Sequence, residues 1–191
     1  MRVLYVYANP KPRSFNSALL EAGLRALEAA AHEVELSDLY AMGFDPVLSA
    51  AEITGQMRPD ARSEIEKLRR ADRLILQFPD WWYGPPAILK GWIDRVMAYG
   101  FAYDDTHEFE TGFLQGKKGL VVMTVGYKAD YYAAAPQRDL AHLLEPLHYG
   151  TFAFVGMQAL PPFIAYGPRY MSEEERKACL EAYARHLLEW L

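Results

Sequence analysis

Three short segments of the chain carry the side chains best suited to binding a ligand. The first spans residues 9–16 and places Lys11, Arg13 and Ser14 just before a helical pattern that begins at Asn16. Free N–H groups and the helix dipole make such a helix start attractive to an anion, so this segment is suited to a phosphate. A capped helix with solvated basic side chains explains the same residues equally well.

The second segment, residues 79–86, holds three consecutive large aromatic residues. Trp81, Trp82 and Tyr83 follow Asp80 and are flanked by prolines. Three such side chains cannot all reach a core from one loop, so at least one is expected to line a cavity or an interface. A planar ligand would stack well there. An aromatic corner that packs against the end of a sheet is the alternative interpretation.

The third segment, residues 124–132, combines a hydroxyl, a glycine and tyrosines. Thr124 can donate or accept a hydrogen bond, and Gly126 lets a flat ligand approach the backbone. Tyr127 and Tyr132 follow within the same segment. The pattern is weak by itself and gains weight because all three segments follow predicted strands.

The elements that must position these segments alternate between strand and helix. Strands are predicted at residues 3–8, 33–37, 72–78, 119–125 and 152–155. Helices are predicted at residues 16–31, 60–70, 87–99, 137–148 and 172–191. The alternation predicts one α/β domain over residues 1–191, with a five-stranded, doubly wound parallel sheet and helices on both faces. Ligands bind beyond the carboxyl ends of such strands, where the three segments are expected to meet.

Composition excludes several classes of function. The net charge of −5 argues against nucleic acid as a partner, because phosphate backbones require clustered Lys and Arg. Cys179 is the single cysteine, which fits a reducing, cytoplasmic compartment. The five histidines show no metal-ligand spacing, so no metal is expected. No apolar run is long enough for a membrane span or a signal peptide.

Motifs along nearly the whole chain resemble one family, the flavodoxin-like NAD(P)H:quinone oxidoreductases. The matching residues are Ser14-Phe15-Asn16, 37–42 (SDLYAM), 53–55 (ITG), 77–79 (QFP) with Trp82, 86–94 (PAILKGWID), 101–103 (FAY) and 156–167 (GMQALPPFIAYG). These motifs are specific in combination, although none of them is specific alone.

The resemblance implies a homodimer with a flavin at each subunit interface, and hydride transfer from NAD(P)H to a quinone by a ping-pong mechanism. FAD is the implied cofactor and FMN the alternative. The implied cofactor-binding residues are Asn9, Ser14, Phe15 and Asn16 near the phosphates, Asp80, Trp81, Trp82 and Tyr83 along the ring, Thr124, Val125, Gly126 and Tyr127 at its polar edge, and Asp94 and Arg176 near the adenine. The implied catalytic residues are Tyr132, Arg138 and, reaching over from the second subunit, Tyr103.

Two departures from the family pattern bear on this assignment. Mammalian members carry a histidine where ungapped counting places Arg138, whose fixed positive charge could replace it. The chain also lacks the long mammalian C-terminal extension. This weakens the expectation that it binds the adenine of FAD, so FMN stays an alternative cofactor.

Two other functions fit parts of the sequence. Residues 160–163 (LPPF) and 187–190 (LLEW) also resemble ancillary flavoprotein subunits of potassium-efflux antiporters. A one-electron flavodoxin carrier fits less well, because its phosphate loop is rich in Ser, Thr and Gly, whereas this loop reads Pro-Lys-Pro-Arg.

Overall fold

Parallel strands and covering helices alternate along the chain in a computed structural model that describes residues 1–190. The strands are β1 (Arg2–Tyr7), β2 (Glu33–Asp38), β3 (Arg73–Pro79), β4 (Lys118–Val125), β5 (Gln158–Ala159) and β6 (Phe163–Tyr166). The helices are α1 (Phe15–Ala29), α2 (Ala50–Ile53), α3 (Pro59–Arg70), α4 (Ala87–Val96), α5 (Ala129–Ala133), α6 (Ala141–Leu147) and α7 (Glu173–Trp190).

The sheet has the order β2-β1-β3-β4-β5, with β6 also paired to β4, and every pairing is parallel. The strand order reverses direction between β1 and β3, which is where ligands bind in sheets of this kind. The predicted fold class, flavodoxin-like α/β, is therefore confirmed.

Side chains that alternate along the central strands supply one core on each face of the sheet. Leu74 and Leu76 pack on the face covered by α3, α4 and α6. Tyr5 and Ile75 pack on the face covered by α1 and α7. Both faces of β1, β3 and β4 are thus buried, which explains why these strands read as continuous apolar runs.

Capping boxes precede three α-helices, α1, α2 and α7, and the box before α2 is formed by Ser49 and Glu52. Ser14 caps α1: its hydroxyl accepts from the backbone N–H of Ser17 at 3.1 Å, and its own N–H donates to the Ser17 hydroxyl at 2.9 Å. Ser172 and Glu175 form the same arrangement before α7. The predicted last residue of that helix lies outside the described residues.

The predicted fifth strand at residues 152–155 is wrong. These residues lie in and just after a π-helical turn, His148–Ala153, and Phe152 packs its ring against Gly119 of β4. A short apolar run suits a buried helical turn as well as a strand, which is why periodicity misassigned it. The fifth strand position is shared by β5 and β6, which Pro161 and Pro162 separate because a proline has no N–H for the ladder.

Helix ends also differ from the sequence prediction. Helix α4 ends at Val96 rather than at residue 99, and α6 begins at Ala141 after a 3₁₀ turn at Pro136–Arg138. Among residues 1–190, no helix is both long enough and apolar enough to pass through a bilayer.

Candidate active site

The three segments that the sequence predicts to bind a ligand meet at the carboxyl edge of the sheet and are joined by hydrogen bonds. Asn16 Nδ2 donates to Thr124 Oγ1 at 3.1 Å, which connects the first segment to the third. The backbone N–H of Asp80 donates to the carbonyl of Thr124 at 2.8 Å, which connects the second segment to the third. Each segment follows one of three neighbouring parallel strands, and the carboxyl ends of such strands lie at the same edge of the sheet. The three segments therefore lie together as the sequence predicted.

The first segment forms an anchored turn at the start of α1. Asn9 Nδ2 donates to Ser14 Oγ at 2.9 Å and to the carbonyl of Lys11 at 3.0 Å. Lys11 and Arg13 are exposed on this turn. A helix start with two free cations beside it can hold an anionic group.

The second segment is a tight turn that presents its aromatic residues to solvent. Asp80 Oδ1 accepts from the N–H of Gly84 at 3.1 Å, while the N–H of Trp81 donates to the carbonyl of Gly84 at 3.0 Å. Trp82 and Tyr83 both adopt left-handed backbone angles, with φ of 58° and 56°, and Trp82 is fully exposed. The turn is strained and its rings do not pack against the sheet, an arrangement typical of functional sites.

The carboxyl group of Asp80 titrates abnormally in this turn. Burial raises its pKa, and the N–H groups of Gly84 and Tyr83 offset part of that effect. A proton is therefore retained on Asp80 to a higher pH than on a solvated aspartate.

The third segment combines free space beside the backbone of Gly126 with tyrosines that pack against each other. Nothing lies within 4 Å of the position that a Cβ on Gly126 would occupy. Burial raises the pKa of the Tyr132 hydroxyl, and the nearby backbone N–H groups of Tyr127 and Gly126 offset part of that effect. Tyr127 stacks on Tyr131 at 4.1 Å between ring centroids.

Arg138 lies at the rim of the same segment. Its guanidinium carbon is 4.2 Å from the ring centroid of Tyr131. Burial and the nearby Tyr131 and Asp80 raise the pKa of the Tyr83 hydroxyl, and the positive charge of Arg138 offsets part of that effect. Val125 differs from its neighbours, because its side chain is in the core and its carbonyl accepts from Gly167, at 2.9 Å.

Three predicted site residues lie away from the three segments or at their margin. Arg176 is at the margin, with its guanidinium carbon 5.7 Å from the ring centroid of Phe15. Asp94 and Tyr103 line a groove of about 730 Å³ on the α3–α4 face, opposite to α7. One chain therefore does not bring Asp94 and Tyr103 to the three segments, and their roles stay predictions.

Sequence reasoning missed residues behind and beside the site. Gln77 and Tyr5 are fully buried and hydrogen-bonded to each other next to Asn16. A glutamine inside an otherwise apolar strand is the signal that could have drawn attention to Gln77. Arg169, whose guanidinium carbon is 4.5 Å from the ring centroid of Tyr170, carried no comparable signal.

Comparison with known proteins assigns the chain to a family. A family described by its flavodoxin-like fold matches residues 1–191. Ribosyldihydronicotinamide dehydrogenase (quinone) from Pongo abelii is 38% identical over 208 positions, covering 97% of this chain and 90% of that protein. NAD(P)H dehydrogenase (quinone) 1 from Cavia porcellus is 36% identical, covering 97% of this chain and 76% of the relative.

A solved structure agrees with the sequence relatives. NAD(P)H:quinone oxidoreductase from Methanothermobacter marburgensis superposes with a TM-score of 0.83 at 28% identity, covering 99% of this chain and 97% of that one. The chain therefore belongs to the flavodoxin-like NAD(P)H:quinone oxidoreductase family.

Proposed function

We propose that this chain is an NAD(P)H:quinone oxidoreductase that uses a bound flavin to carry a hydride from NAD(P)H to a quinone. The observation that carries the proposal is the pair of hydrogen bonds joining Asn16 and Asp80 to Thr124. These bonds hold an anion-binding helix start and an exposed aromatic turn at one edge of the sheet. The reductase names of relatives more than a third identical support the same reaction class.

The residues at this edge suit the parts of a flavin. Lys11 and Arg13 flank a helix start that suits the phosphate, and the exposed ring of Trp82 suits a flat face. Thr124 offers a hydroxyl to a polar ring edge, and the open space at Gly126 leaves room for the ring. FAD is the proposed cofactor and FMN the alternative.

A flavin bound at this edge would supply the two-electron chemistry of the proposed ping-pong cycle, which is hydride transfer from NAD(P)H and then to a quinone. The chain's own residues orient the reactants and set the local charge. Tyr132 is buried and packs edge-on against Tyr131 with 5.3 Å between ring centroids, which places its ring at the wall of the site. Arg138 keeps a permanent positive charge at the rim, which favours negative charge developing nearby.

The proposal includes a homodimer. Asp94 and Tyr103 line a groove away from the three segments, so they can act at a flavin site only across an interface between two copies. Tyr103 of the partner subunit would then complete the pocket for nicotinamide and quinone. Sedimentation of the wild-type protein at about twice the monomer mass supports this arrangement, and a monomeric holoprotein contradicts it.

The alternative role, an ancillary subunit of a potassium-efflux antiporter, is not favoured. The two sequence relatives, at 38% and 36% identity, and the Methanothermobacter marburgensis structure carry the names of dehydrogenases and oxidoreductases.

The direct test is to purify the protein, record its visible spectrum and identify the released flavin by mass spectrometry. NADPH or NADH is expected to bleach the flavin absorbance in the absence of oxygen, and a soluble benzoquinone is expected to restore it. Apoprotein that stays colourless after incubation with FAD and FMN, or a flavin that no nicotinamide reduces, would refute the proposal.

A matched pair of variants tests the phosphate assignment. Arg13→Ala is expected to weaken flavin binding about tenfold, because it removes one charge-assisted contact with a phosphate. Arg25→Ala removes an exposed arginine from the far part of α1 and is expected to leave binding unchanged. Equal affinity in the two variants would contradict the assignment.

A further inference from the structure

A continuous line of hydrogen bonds runs beneath α1 from α7 to the active-site edge. The Tyr183 and Tyr5 hydroxyl oxygens are 2.6 Å apart, and the Tyr5 hydroxyl donates to Oε1 of Gln77. Gln77 Nε2 then lies 2.9 Å from Asn16 Oδ1, and Asn16 Nδ2 lies 3.1 Å from Thr124 Oγ1. All members except Thr124 are buried, so the line has no competing contact with solvent.

One backbone carbonyl fixes the direction of every bond in this line. Gln77 Nε2 lies 2.6 Å from the main-chain oxygen of Asn16, which can only accept. The amino group of Gln77 must therefore face Asn16, and its second proton is donated to Asn16 Oδ1. With Oδ1 committed to Gln77, the amino group of Asn16 must face Thr124.

The same reasoning settles the hydroxyl groups at the two ends. Gln77 Oε1 accepts from Tyr5, so the Tyr5 oxygen must accept from Tyr183. At the other end Thr124 accepts from Asn16, and within residues 1–190 this is the only hydrogen bond of its hydroxyl. The Thr124 proton is left over at an edge of the sheet where Gly126 leaves open space.

We propose that Gln77 is a positioning residue which, through Asn16, commits the Thr124 hydroxyl to donating a hydrogen bond to a bound ligand. The ligand group it selects is an acceptor on the edge of a planar ring, a carbonyl oxygen or an unprotonated ring nitrogen. The inference rests on the proposed function, in which that ring is the flavin isoalloxazine. Tyr5 and Tyr183 lie behind Gln77 and stabilise the line without setting its direction.

Helix α1 packs closely against the tyrosine pair at Gly23. A Cβ on Gly23 of α1 would lie 3.0 Å from Cε1 of Tyr183 and 3.1 Å from the Tyr5 hydroxyl. Helix α1 therefore approaches the pair closely only because residue 23 has no side chain.

The first test compares two variants of Thr124 by titrating apoprotein with FMN and FAD and following the quenching of flavin fluorescence. Thr124→Val keeps the shape and removes the donor, so the dissociation constant is expected to rise about tenfold. Thr124→Ser keeps a hydroxyl and is expected to stay within about threefold of wild type. Melting temperatures of the two apoproteins are compared as well, because Thr124→Val leaves the buried amino group of Asn16 without its acceptor and Thr124→Ser does not.

The second test reverses the proton direction without changing side-chain size. In Asn16→Asp the introduced carboxylate has only acceptors, so it accepts from Gln77 and also draws the Thr124 proton inward. Binding is expected to weaken at least as much as in Thr124→Val. In the double variant Asn16→Asp/Thr124→Val, flavin affinity is expected to be less than about threefold lower than in Thr124→Val alone. If Asn16→Asp acted only through its negative charge, its full loss of affinity would add to that of Thr124→Val.

The third test separates positioning from stability. Gln77→Met removes the donor that fixes the Asn16 amide, so that this amide can rotate and exchange its oxygen and amino group. Flavin binding is expected to weaken to nearly the level of Thr124→Val. In Tyr5→Phe the main-chain oxygen of Asn16 still fixes the orientation of the Gln77 amide, so flavin affinity is expected to stay within about twofold of wild type. The melting temperature is expected to fall by about 3–8 °C, because a buried hydrogen bond is lost.

The outcomes keep this inference separate from the proposed function. If wild-type protein binds no flavin, the proposed function fails and this inference fails with it. If wild-type protein binds flavin and Thr124→Val binds it equally well, the proposed function stands and the positioning role is overturned. Full additivity of Asn16→Asp and Thr124→Val overturns it as well.

Discussion

Nη2 of Arg95 lies 2.7 Å from Oε1 of Glu52, and both side chains are completely buried. The same guanidinium donates to both oxygens of Asp60, at 2.6 and 2.7 Å, and to the carbonyl of Asp45. Arg95 therefore ties the irregular chain around residues 45–60 to α4. That chain lines the groove to which Tyr103 contributes, so the ion cluster shapes one wall of it.

The first prediction concerns the stability that this cluster supplies. Arg95→Met is expected to cost about 3–5 kcal/mol of unfolding free energy, because it removes the buried charge that pairs with both Glu52 and Asp60 and leaves Glu52 with Arg58 as its one remaining cation among the described residues. Lys90→Met breaks the exposed pair with Asp94 and is expected to cost less than about 1 kcal/mol. Urea unfolding of both variants measures the difference, and similar losses would contradict the role given to Arg95.

The second prediction is a pH dependence. Burial alone would raise the pKa of Glu52, but hydrogen bonds from Arg95, Ser49 and Arg58 outweigh it and hold the pKa at about 2, compared with the usual 4.5. The folded state thus favours the charged form, so this stabilisation is complete above pH 4.5 and is lost as the pH falls towards 2.

Urea unfolding at a series of pH values checks the effect of Glu52. Wild-type stability is expected to fall steeply over this acid range. Glu52→Gln is expected to be less stable at neutral pH and to show a shallower decline. Parallel curves for the two proteins would show that Glu52 is not the group responsible.

The third prediction uses the strained turn at Trp82. Its left-handed φ of 58° disfavours any residue with a Cβ, so Trp82→Gly is expected to be about 1 kcal/mol more stable than Trp82→Ala. Both variants remove the exposed ring and are expected to weaken flavin binding equally. Thermal melts and flavin titrations check the two halves, and a less stable glycine variant would exclude strain at this position.

The fourth prediction compares two glycines. A Cβ on Gly119 would lie 2.6 Å from the ring of Phe152, so Gly119→Ala is expected to cost about 1–3 kcal/mol through overpacking. A Cβ on Gly126 would meet no protein atom within 4 Å. Gly126→Ala is therefore expected to keep wild-type stability and to lose flavin affinity, because its methyl group enters the space proposed for the ring.

Chemical denaturation and flavin titration of the two glycine variants separate these effects. Adding Phe152→Leu to Gly119→Ala is expected to restore part of the lost stability. If Gly126→Ala binds flavin like wild type, the proposed ring position is incorrect.

The fifth prediction addresses the charge at the rim. Arg138→Gln is expected to lower quinone reductase turnover about tenfold, because it removes a fixed positive charge near the site. Arg138→Lys keeps the charge and is expected to retain most of the activity. Steady-state turnover at two salt concentrations provides the measurement, and equal loss in both variants would assign Arg138 a packing role on Tyr131 instead.

Local pattern in the sequence was sufficient for the elements whose signal is strong. The apolar runs of β1, β3 and β4 and the capped start of α1 predicted their positions, because strand burial and helix capping are properties of neighbouring residues. The run at residues 152–155 misled because two aromatic residues and a valine fit a π-helical turn as well as a strand. The conformation of this run depends on the packing of Phe152 against Gly119, a residue too distant in sequence for a local pattern to include.

The sequence by itself determined the α/β class, the position of the three candidate segments at strand ends and the family to which the chain belongs. These follow from periodicity, from residue types at predicted strand ends and from motifs in order. Only the tertiary structure decided that Asn16 bonds to Thr124, that Gln77 faces Asn16, and that Asp94 and Tyr103 lie in a separate groove. Partners in those contacts are distant in sequence, so the geometry exists only once the sheet and its helices have packed.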